Sequence, residues 1–591
     1  MPDSTADLLL LPRPLVIERL GPPVRVDPAA MVCERCEHLA DIAGEPLGPQ
    51  GYELILGPSA GHASNARCRA TSPAGQRYAR ATLAQLVRQF GHSIPALKIR
   101  DKPSFPTRGV MLDVSRDRVP TMDELRRIVD QLSALKYNHL QLYTEHTFAY
   151  TGHDEVWKDW SPITPAEVRE LDAYCLSRDI ELAANQNCFG HLAAWFRHPR
   201  YAHLAETHGD WVFDVWPRTG PFSLCPVDPA SEAFVSDLLS QLLPCFSSPL
   251  VNIGCDETFD IGYGRSKQAV TDRGRAAVYM DFVRTIAAIA RTHGKRPMFW
   301  ADIALSHPEE LHRVPEDMIA LAWGYEPPPV SDFTAWCKAL SAGTSKRETW
   351  VCPGTSSWRS IYGRTTERRE NINAAAKAGA EGGATGMLIC DWGDTGHQQH
   401  WPIALHALAH GAQAAWDAAN PNPDARAVSL HVHADPSLTV GDWLDQLGDA
   451  DLSVREVALP LSRQGVEGRL RNQSAIFIDM HTKLGDGQAV AANRWQAALD
   501  RIEHLSTTLP PGLPAQLDAE LRHTINFARF AAKRAVERRA PGGLTTANKA
   551  ALAADLRAVM AEHRRLWLLR SRLGGLDHSA GFLTKVLAEL E

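Results

Sequence analysis

The middle of the chain reads Pro249-Leu-Val-Asn-Ile-Gly-Cys-Asp-Glu-Thr-Phe-Asp260, an apolar stretch that ends in two adjacent acids. Residues 250–253 are predicted to form a buried strand, with Asp256 and Glu257 just beyond its exit. Carboxylates in such a place must be solvated, hydrogen-bonded or shifted in pKa, so a pair of them suggests chemistry. The alternative is a helix N-terminus, at which Asp256, Glu257 and Thr258 would accept free backbone N–H groups.

The same rhythm of apolar strand, polar tip and amphipathic helix repeats from Gly109 onward. This alternation is typical of βα units and of a parallel sheet. Eight strands over roughly 280 residues favour a (β/α)8 barrel over an open doubly wound sheet. The predicted strands are Val110–Val114, His139–Tyr143, Ile180–Ala184, Val251–Gly254, Pro297–Trp300, Ile319–Trp323, Trp350–Cys352 and Met387–Cys390.

The rest of the chain divides around this barrel. Residues 1–104 mix short strand-like pieces with one helical pattern and are predicted to form a small α+β domain. The barrel is assigned to residues 105–430 and a helical C-terminal region to residues 431–591. Apolar residues at about 3.6-residue spacing predict helices there, at Ala489–Leu505, Leu517–Arg538 and Lys549–Leu573. The predicted fold class is therefore α/β, a TIM barrel between these two parts. The C-terminal helices fit either a brace for the barrel end or a homodimer contact.

Composition excludes several classes of protein. The chain carries 62 Lys and Arg against 69 Asp and Glu, a formal net charge of -7, which argues against a nucleic-acid partner. No segment approaches the roughly 20 apolar residues of a membrane span, and no basic signal-peptide region opens the chain. The 11 cysteines are an odd number in mostly apolar contexts, which predicts reduced thiols and a cytoplasmic protein. Cys33-Glu-Arg-Cys36 lacks a second pair, so we predict no metal and no cofactor.

The polar tips of the strands form the candidate site, because a barrel carries its active site where the strands exit. Four of the eight tips contain tryptophan. Indole faces stack on sugar rings while carboxylates and amides bind hydroxyls, so this lining suggests a carbohydrate. Each tryptophan could instead cap the barrel core. In strand order the tips are Ser115-Arg116; Glu145-His146; Asn185 to Asn187 with His191; Asp256-Glu257; Trp300 with Asp302; Trp323 with Tyr325 and Glu326; Ser356 to Trp358; and Asp391 to Asp394.

Four sequence elements, in the right order, resemble glycoside hydrolase family 20, the β-N-acetylhexosaminidases. Arg108-Gly-Val-Met-Leu-Asp-Val-Ser-Arg116 resembles the family's opening strand, R-G-x-x-L-D-x-S-R. Gly254-Cys-Asp-Glu257 resembles its catalytic G-G-D-E, and Trp392-Gly-Asp394 resembles its W-G-E. Gly51-Tyr-Glu-Leu and the stretch 70–79 resemble the small domain that precedes this barrel. The resemblance covers roughly residues 1–400.

The resemblance implies an exo-acting enzyme that releases terminal β-linked GlcNAc or GalNAc with retention of configuration. In this family the substrate's own acetamido group attacks the anomeric carbon. Glu257 would then be the general acid and base, and Asp256 would hold the acetamido N–H. The predicted substrate-binding residues are Arg108, Glu145, His191, Trp300, Trp323, Tyr325, Trp358, Trp392 and Asp394. Arg108 would hold sugar hydroxyls, Trp392 would stack on the ring, and Asp394 would take the 4- or 6-hydroxyl.

The chain departs from the family pattern at several positions. The family's usual His before G-G-D-E is replaced by Asn252, and its second Gly by Cys255. Glu145-His146 stands in place of an Asp pair, and Asn187 in place of an Asp. The acetamide-binding Tyr of the seventh strand is missing, with Tyr325 or Tyr362 as substitutes. These differences concern the aglycone preference and the pocket shape more than the reaction type.

Two other classes of function fit parts of the sequence. One is a metal-dependent hydrolase that uses His191, Asp256, Asp302 and the pair His397 and His400. The other is a carbohydrate-binding barrel without catalysis, against which the intact Asp-Glu pair argues. The sequence does not distinguish GlcNAc from GalNAc.

Overall fold

The computed structural model describes residues 8–40, 44–57, 65–213, 216–341, 347–457, 472–482 and 490–591. The first part is a five-stranded sheet in the order β1-β5-β3-β4-β2, with one helix packed on it. Ser72 caps that helix, since its side chain accepts from the N–H groups of Ala74 and Gly75. The elements are β1 (Val16–Arg25), β2 (Val32–Arg35), β3 (Tyr52–Leu56), β4 (Ala66–Ala70), α1 (Pro73–Phe90) and β5 (Ser93–Asp101).

Eight parallel strands of the described chain close into a barrel, which confirms the predicted (β/α)8 fold. A short antiparallel hairpin interrupts them after the third barrel strand. The strands are β6 (Thr107–Asp113), β7 (His139–Tyr143), β8 (Glu181–Asn185), the hairpin strands β9 (Asp210–Phe213) and β10 (Trp216–Thr219), then β11 (Leu250–Asn252), β12 (Arg296–Trp300), β13 (Ile319–Trp323), β14 (Thr349–Cys352) and β15 (Gly386–Asp391).

The barrel strands lie where the sequence predicts them, with shifts at their ends. The predictions for β7 and β13 match residue for residue. Strand β11 ends earlier than predicted, at Asn252, because the backbone turns at Gly254 and Cys255, whose φ angles are 71° and 76°. Strand β6 begins earlier than predicted, at Thr107.

Helices surround the barrel, and a threonine side chain caps the first turn of two of them. The Thr121 side chain accepts from Glu124 N–H, and Thr164 forms a capping box with Glu167. The helices are α2 (Met122–Ala134), α3 (Asp154–Trp157), α4 (Pro165–Leu176), α5 (Ala193–Phe196), α6 (Pro199–Ala202), α7 (Pro229–Leu242), α8 (Lys267–Arg273), α9 (Arg275–Thr292), α10 (Asp302–Leu305), α11 (Phe333–Leu340), α12 (Thr365–Gly382) and α13 (Trp401–Trp416).

The C-terminal part is helical, as predicted, and has an apolar core of its own. Of the predicted helix boundaries, residue 489 lies outside the described residues. The helix predicted to reach Leu573 ends at Trp567, where a turn begins. The helices are α14 (Ala425–His431), α15 (Val440–Gly448), α16 (Leu452–Arg455), α17 (Ala475–Thr482), α18 (Ala492–Thr507), α19 (Ala515–Arg539), α20 (Thr546–Trp567) and α21 (Leu576–Leu590).

Among the described residues, every helix is too short or too polar to cross a membrane.

Candidate active site

The two acids after β11 lie on a tight, unusual turn. Gly254, Cys255 and Glu257 all have positive φ angles, of 71°, 76° and 55°. Non-glycine residues adopt this region only where the surroundings hold them there, and such residues cluster at functional sites. The surroundings are Asn187, whose Oδ1 accepts from Cys255 N–H at 3.3 Å, and Asp302, whose Oδ2 accepts from Glu257 N–H at 3.0 Å. The helix-capping interpretation is wrong, because residues 257–266 contain turns and α8 begins only at Lys267.

Asp256 lies buried between an amide and an imidazole. Asn187 Nδ2 donates to Asp256 Oδ1 at 2.8 Å, and His191 Nε2 lies 3.1 Å from Asp256 Oδ2. Burial alone would raise the pKa of Asp256, but the charge and hydrogen bond of His191 and the Asn187 amide outweigh it and lower that pKa below its ordinary value. Asp256 is therefore a carboxylate at neutral pH.

His191 connects the two acids. Its Nε2 atom is also 3.4 Å from Glu257 Oε2, and its Nδ1 atom is 3.9 Å from Glu145 Oε1. Burial opposes the charged ring, yet Asp256 and Glu257 raise the pKa of His191 to about 10. The ring is thus an imidazolium at neutral pH, and its charge offsets that of Asp256. One ligand atom from each of His191, Asp256 and Glu257 lies within 4.8 Å of the others, a grouping that could hold a cation if the ring gave up its proton.

Arg116, a tip residue left out of the predicted substrate-binding set, is at the centre of the site. Its guanidinium lies 3.2 Å from Glu145 Oε1 and 3.5 Å from Asp394 Oδ1. It also packs over the Trp392 ring, with 4.8 Å between the Cζ atom and the ring centroid. Asp113, buried at the end of β6, accepts from Arg116 Nη1 at 3.2 Å and so holds the guanidinium itself. Arg116 thus brings together three predicted residues, Glu145, Trp392 and Asp394. Its position just after a predicted strand is the sequence signal that could have identified it.

Asp302, which the sequence indicates only as a strand tip and a metal candidate, also contacts the turn that carries Asp256 and Glu257. It accepts from Glu257 N–H and from Trp323 Nε1, the latter at 3.2 Å. Burial and the neighbouring charge of Asp256 raise the pKa of Asp302 to about 8. At neutral pH Asp302 is therefore a protonated acid that supports the turn of Glu257 without placing a second negative charge beside that of Asp256.

The predicted aromatic residues gather in the mouth and interior of the barrel. Trp323 stacks on Tyr325 with ring centroids 5.1 Å apart, and Tyr325 meets the edge of Trp358 at the same distance. Trp300 and Trp358 are each 1% exposed, whereas Trp392 is 7% exposed and Trp323 is partly exposed. Trp300 and Trp358 therefore pack into the barrel core in this structure, and Trp323 and Trp392 face the acids.

Arg108 is a predicted substrate-binding residue that lies at the other end of the barrel. It stands at the start of β6, at the opposite end of the barrel, and is 1% exposed. Its guanidinium donates to Tyr78 Oη, Gln50 Oε1 and the carbonyl oxygens of Phe105 and Lys136, at 2.6 to 2.9 Å. These contacts tie the N-terminal sheet to the barrel, so the expectation that Arg108 holds sugar hydroxyls is corrected.

Two further predictions also lie outside the site. They are the metal candidates His397 and His400, and Tyr362, one of the two tyrosines considered for the acetamido group. His400 Nε2 lies 2.7 Å from His523 Nδ1, and His397 lies beside Arg118, so this pair belongs to the contact between barrel and C-terminal helices. Tyr362 packs in the C-terminal core. Of the two tyrosines, only Tyr325 borders the site.

The chain matches two family models. "Glycosyl hydrolase family 20, catalytic domain" matches residues 105–334, and "Glycosyl hydrolase family 20, domain 2" matches residues 20–102. Together these ranges make up slightly more than half of the chain.

Curated relatives carry related names. The chain is 26% identical over 340 residues to a beta-hexosaminidase of Akkermansia muciniphila. The aligned region covers 52% of this chain and 65% of that protein. It is 25% identical over 232 residues to human hexosaminidase D. That alignment covers 37% of this chain and 45% of that protein. The chain thus spans less than two thirds of the length of these relatives.

Solved structures share the fold. The GH20 exo beta-N-acetylglucosaminidase of Vibrio harveyi, in complex with N-acetylglucosamine, matches with a TM-score of 0.57 at 16% identity, over 74% of this chain and 78% of that one. The chitobiase of Flavobacterium johnsoniae matches with a TM-score of 0.55 at 16% identity, over 95% of this chain and 99% of that one.

Proposed function

The chain belongs to glycoside hydrolase family 20, and on that premise we propose that it is an exo-acting β-N-acetylhexosaminidase that releases terminal β-linked GlcNAc or GalNAc from glycans. The observation that carries the proposal is the arrangement of Asp256 and Glu257. Both acids lie at the tip of β11 on a constrained turn, and one imidazolium, His191, contacts both. Two adjacent carboxyl groups in such different surroundings suit one ionised and one proton-donating role.

Asp256 is proposed to orient the acetamido group. As a carboxylate it accepts the acetamido N–H and stabilises the positive charge that develops when the acetamido oxygen attacks the anomeric carbon. The lowered pKa of Asp256 supports this role, since a protonated Asp256 would offer no charge. The attack closes an oxazolinium ring, while the bond from the anomeric carbon to the leaving oxygen breaks.

Glu257 is proposed to act as general acid and then as general base. It gives its proton to the leaving oxygen in the first step and takes a proton from water in the second, when that water opens the oxazolinium ring. Its side chain is 22% exposed, compared with 8% for Asp256, which suits a group that must meet both the leaving group and water. The acetamido oxygen attacks from the face opposite the leaving group, and water then enters from the face that the leaving group vacated. Each step inverts the anomeric carbon, so the β configuration is retained.

Arg116 takes over the role that the sequence assigned to Arg108. Its guanidinium, flanked by Glu145 and Asp394, offers donors to sugar hydroxyls while the two acids offer acceptors. Trp392, over which Arg116 packs, is proposed to stack on the sugar ring, and Trp323 and Tyr325 to border the acetamido group.

Two further features of the site bear on competing functions. The cluster of His191, Asp256 and Glu257 could hold a divalent cation and so favours a metal-dependent hydrolase as the second candidate. A carbohydrate-binding barrel without catalysis would use the same aromatic mouth. Hydrolysis of chromogenic N-acetyl-β-glucosaminide and N-acetyl-β-galactosaminide, with and without chelator, separates the three. Activity that survives chelation supports the glycosidase, activity lost to chelator supports the metal enzyme, and binding without hydrolysis supports the binding protein.

The surroundings in which the enzyme works are also part of the proposal. All 11 cysteines are free thiols, and nine of them are buried, which suits a reducing compartment and supports a cytoplasmic enzyme. The net charge of -7 supports a neutral or amino-sugar glycan as partner and not a nucleic acid. A homodimer contact stays one of the two alternatives that the sequence offers for the C-terminal helices.

A further inference from the structure

A turn of the C-terminal region lies against the loop that carries Arg116. We call residues Trp567–Ser579, between α20 and the first turns of α21, the C-terminal brace. Its backbone pairs with the loop after β6: Arg572 N–H donates to Val119 O at 2.8 Å, and Thr121 N–H donates to Arg570 O at 2.9 Å. Between these bonds, Pro120 and Ser571 form a bridge like that between two strands. The loop is therefore held through its main chain.

Two glycines let the brace come close to the barrel, one at the loop after β6 and one at the segment after β7. A Cβ atom added at Gly575 would overlap the carbonyl oxygen of Asp117, and one added at Gly574 would overlap the carbonyl carbon of Trp160. Gly575 also has a φ angle of 79°, which a side chain disfavours. The backbone of the brace thus presses directly on the residue next to Arg116.

Side chains fasten the residues that follow Arg116. His578 Nδ1 lies 2.6 Å from Asp117 Oδ1, and the Arg118 guanidinium packs 4.1 Å from the ring centroid of Trp567. Asp117 has a φ angle of 72°, a strained conformation that these contacts maintain.

The brace reaches the second loop of the sugar site as well. The hydroxyl of Ser579 donates to Gly396 O, in the loop that follows Trp392 and Asp394. Within that loop, Gly393 lies so close to Arg116 that an added Cβ atom would be 2.7 Å from the Arg116 carbonyl oxygen. One segment therefore fixes both loops whose side chains meet at Arg116.

We propose that the C-terminal brace is a positioning element of the active site, which acts by holding Arg116 in the orientation that binds the sugar. This inference rests on the proposed function. Arg116 extends from a loop, and a charged hydrogen bond between guanidinium and hydroxyl needs defined geometry to be strong. Contacts from outside the barrel supply that geometry, and the brace itself touches no substrate.

The test is Gly575→Ala in the full chain, with two matched glycine controls. Gly542→Ala introduces the same kind of strain, since Gly542 has a φ angle of 90° and open space around its Cβ position. Gly581→Ala changes the same helix, α21, at a position where nothing lies within 4 Å. We expect kcat/KM for a chromogenic N-acetyl-β-glucosaminide to fall at least tenfold in Gly575→Ala and to change less than twofold in both controls.

Coupling to Arg116 distinguishes positioning from a general loss of structure. In an Arg116→Lys background, Gly575→Ala should change kcat/KM by less than twofold, because the contact that the brace maintains is already lost. Effects that multiply in the double variant would overturn the proposal, as would a Gly575→Ala enzyme within twofold of the parent.

Two further measurements keep the proposal testable. Should Gly575→Ala not fold, the pair His578→Leu and His578→Asn takes its place, since only Asn retains a donor for Asp117. We expect kcat/KM to fall in His578→Leu and to be restored in His578→Asn. Equal kcat/KM values in the two variants would overturn the proposal. Amide hydrogen exchange of residues 113–121 gives a readout without turnover. It should rise in Gly575→Ala and not in the controls, and unchanged exchange would contradict the proposal. A parent that hydrolyses no N-acetylhexosaminide would refute the proposed function alone.

Discussion

Arg108 and Arg116 begin and end one stretch of nine residues, and they lie at opposite ends of the barrel. Arg108 is 1% exposed and gives its donors to carbonyl, amide and phenol oxygens of the protein. Arg116 faces the carboxylates of Glu145 and Asp394, and 23% of its side chain is open to solvent. An arginine whose partners are fixed protein oxygens stabilises the fold, whereas one left among acids at an open end has donors to offer a ligand.

This contrast separates the two ends of the barrel into a structural end and a chemical end. Changes at the chemical end should cost activity more than stability. Changes at the structural end should do the reverse.

The largest effect is expected at the chemical end, for Glu257→Gln. The amide keeps the shape of the side chain but has no proton to give, and general acid catalysis contributes about 10²–10⁴-fold. Turnover of a natural disaccharide should therefore fall at least about a hundredfold, with a smaller loss for nitrophenyl glycosides, whose leaving groups need less help. The melting temperature should stay close to that of the parent. A near-normal rate on the disaccharide would show that Glu257 is not the acid.

The matched pair Arg116→Lys and Arg108→Lys tests the contrast itself. A hydrogen bond to a charged group is worth about 1.5–3 kcal/mol, so Arg116→Lys should lower kcat/KM about 10- to 100-fold. Arg108→Lys leaves several buried acceptors unpaired and should cost about 2–4 kcal/mol of stability, seen as a lower melting temperature, while the folded enzyme keeps its kcat/KM. The division into two ends fails if the two variants exchange these phenotypes.

The last effect is expected for Asp302→Asn and is measured as melting temperature against pH. The pKa of Asp302 is raised to about 8 in the fold, so the folded state holds a proton that the unfolded chain releases near pH 4. Its contribution to stability is full below about pH 4 and is lost as the pH rises through about 8. Because asparagine stays neutral, the stability of the variant relative to the parent should rise from pH 4 to pH 8. A pH-independent difference would mean that Asp302 is ionised throughout.

The sequence predicted the barrel because its signal is local and periodic. All eight barrel strands alternate with amphipathic helices, and helix starts such as Thr121 and Thr164 carry their caps in the sequence. Strand ends were less certain, because β11 stops at a turn whose positive φ angles the neighbouring strands impose. The order of the strands then followed from the fold class.

The site was predicted in part. Asp256, Glu257, Glu145, His191, Trp323, Tyr325, Trp392 and Asp394 do meet at one end of the barrel, since strand tips converge there by topology. The assignment of Arg108 failed because the motif contains two arginines, and only the position along β6 tells which one reaches the tips. A brace for the barrel end was one of two alternatives for the C-terminal helices. The residues that form it could not be predicted, because contacts such as that of His578 with Asp117 join residues 461 positions apart.

The most direct test of the mechanism is the anomeric configuration of the first product, followed by proton NMR during hydrolysis of a chromogenic N-acetyl-β-glucosaminide. Attack by the acetamido group held at Asp256, followed by water activated at Glu257, predicts that the β-anomer appears first and mutarotates later. Appearance of the α-anomer first would contradict the central claim that these two acids carry a retaining, substrate-assisted reaction.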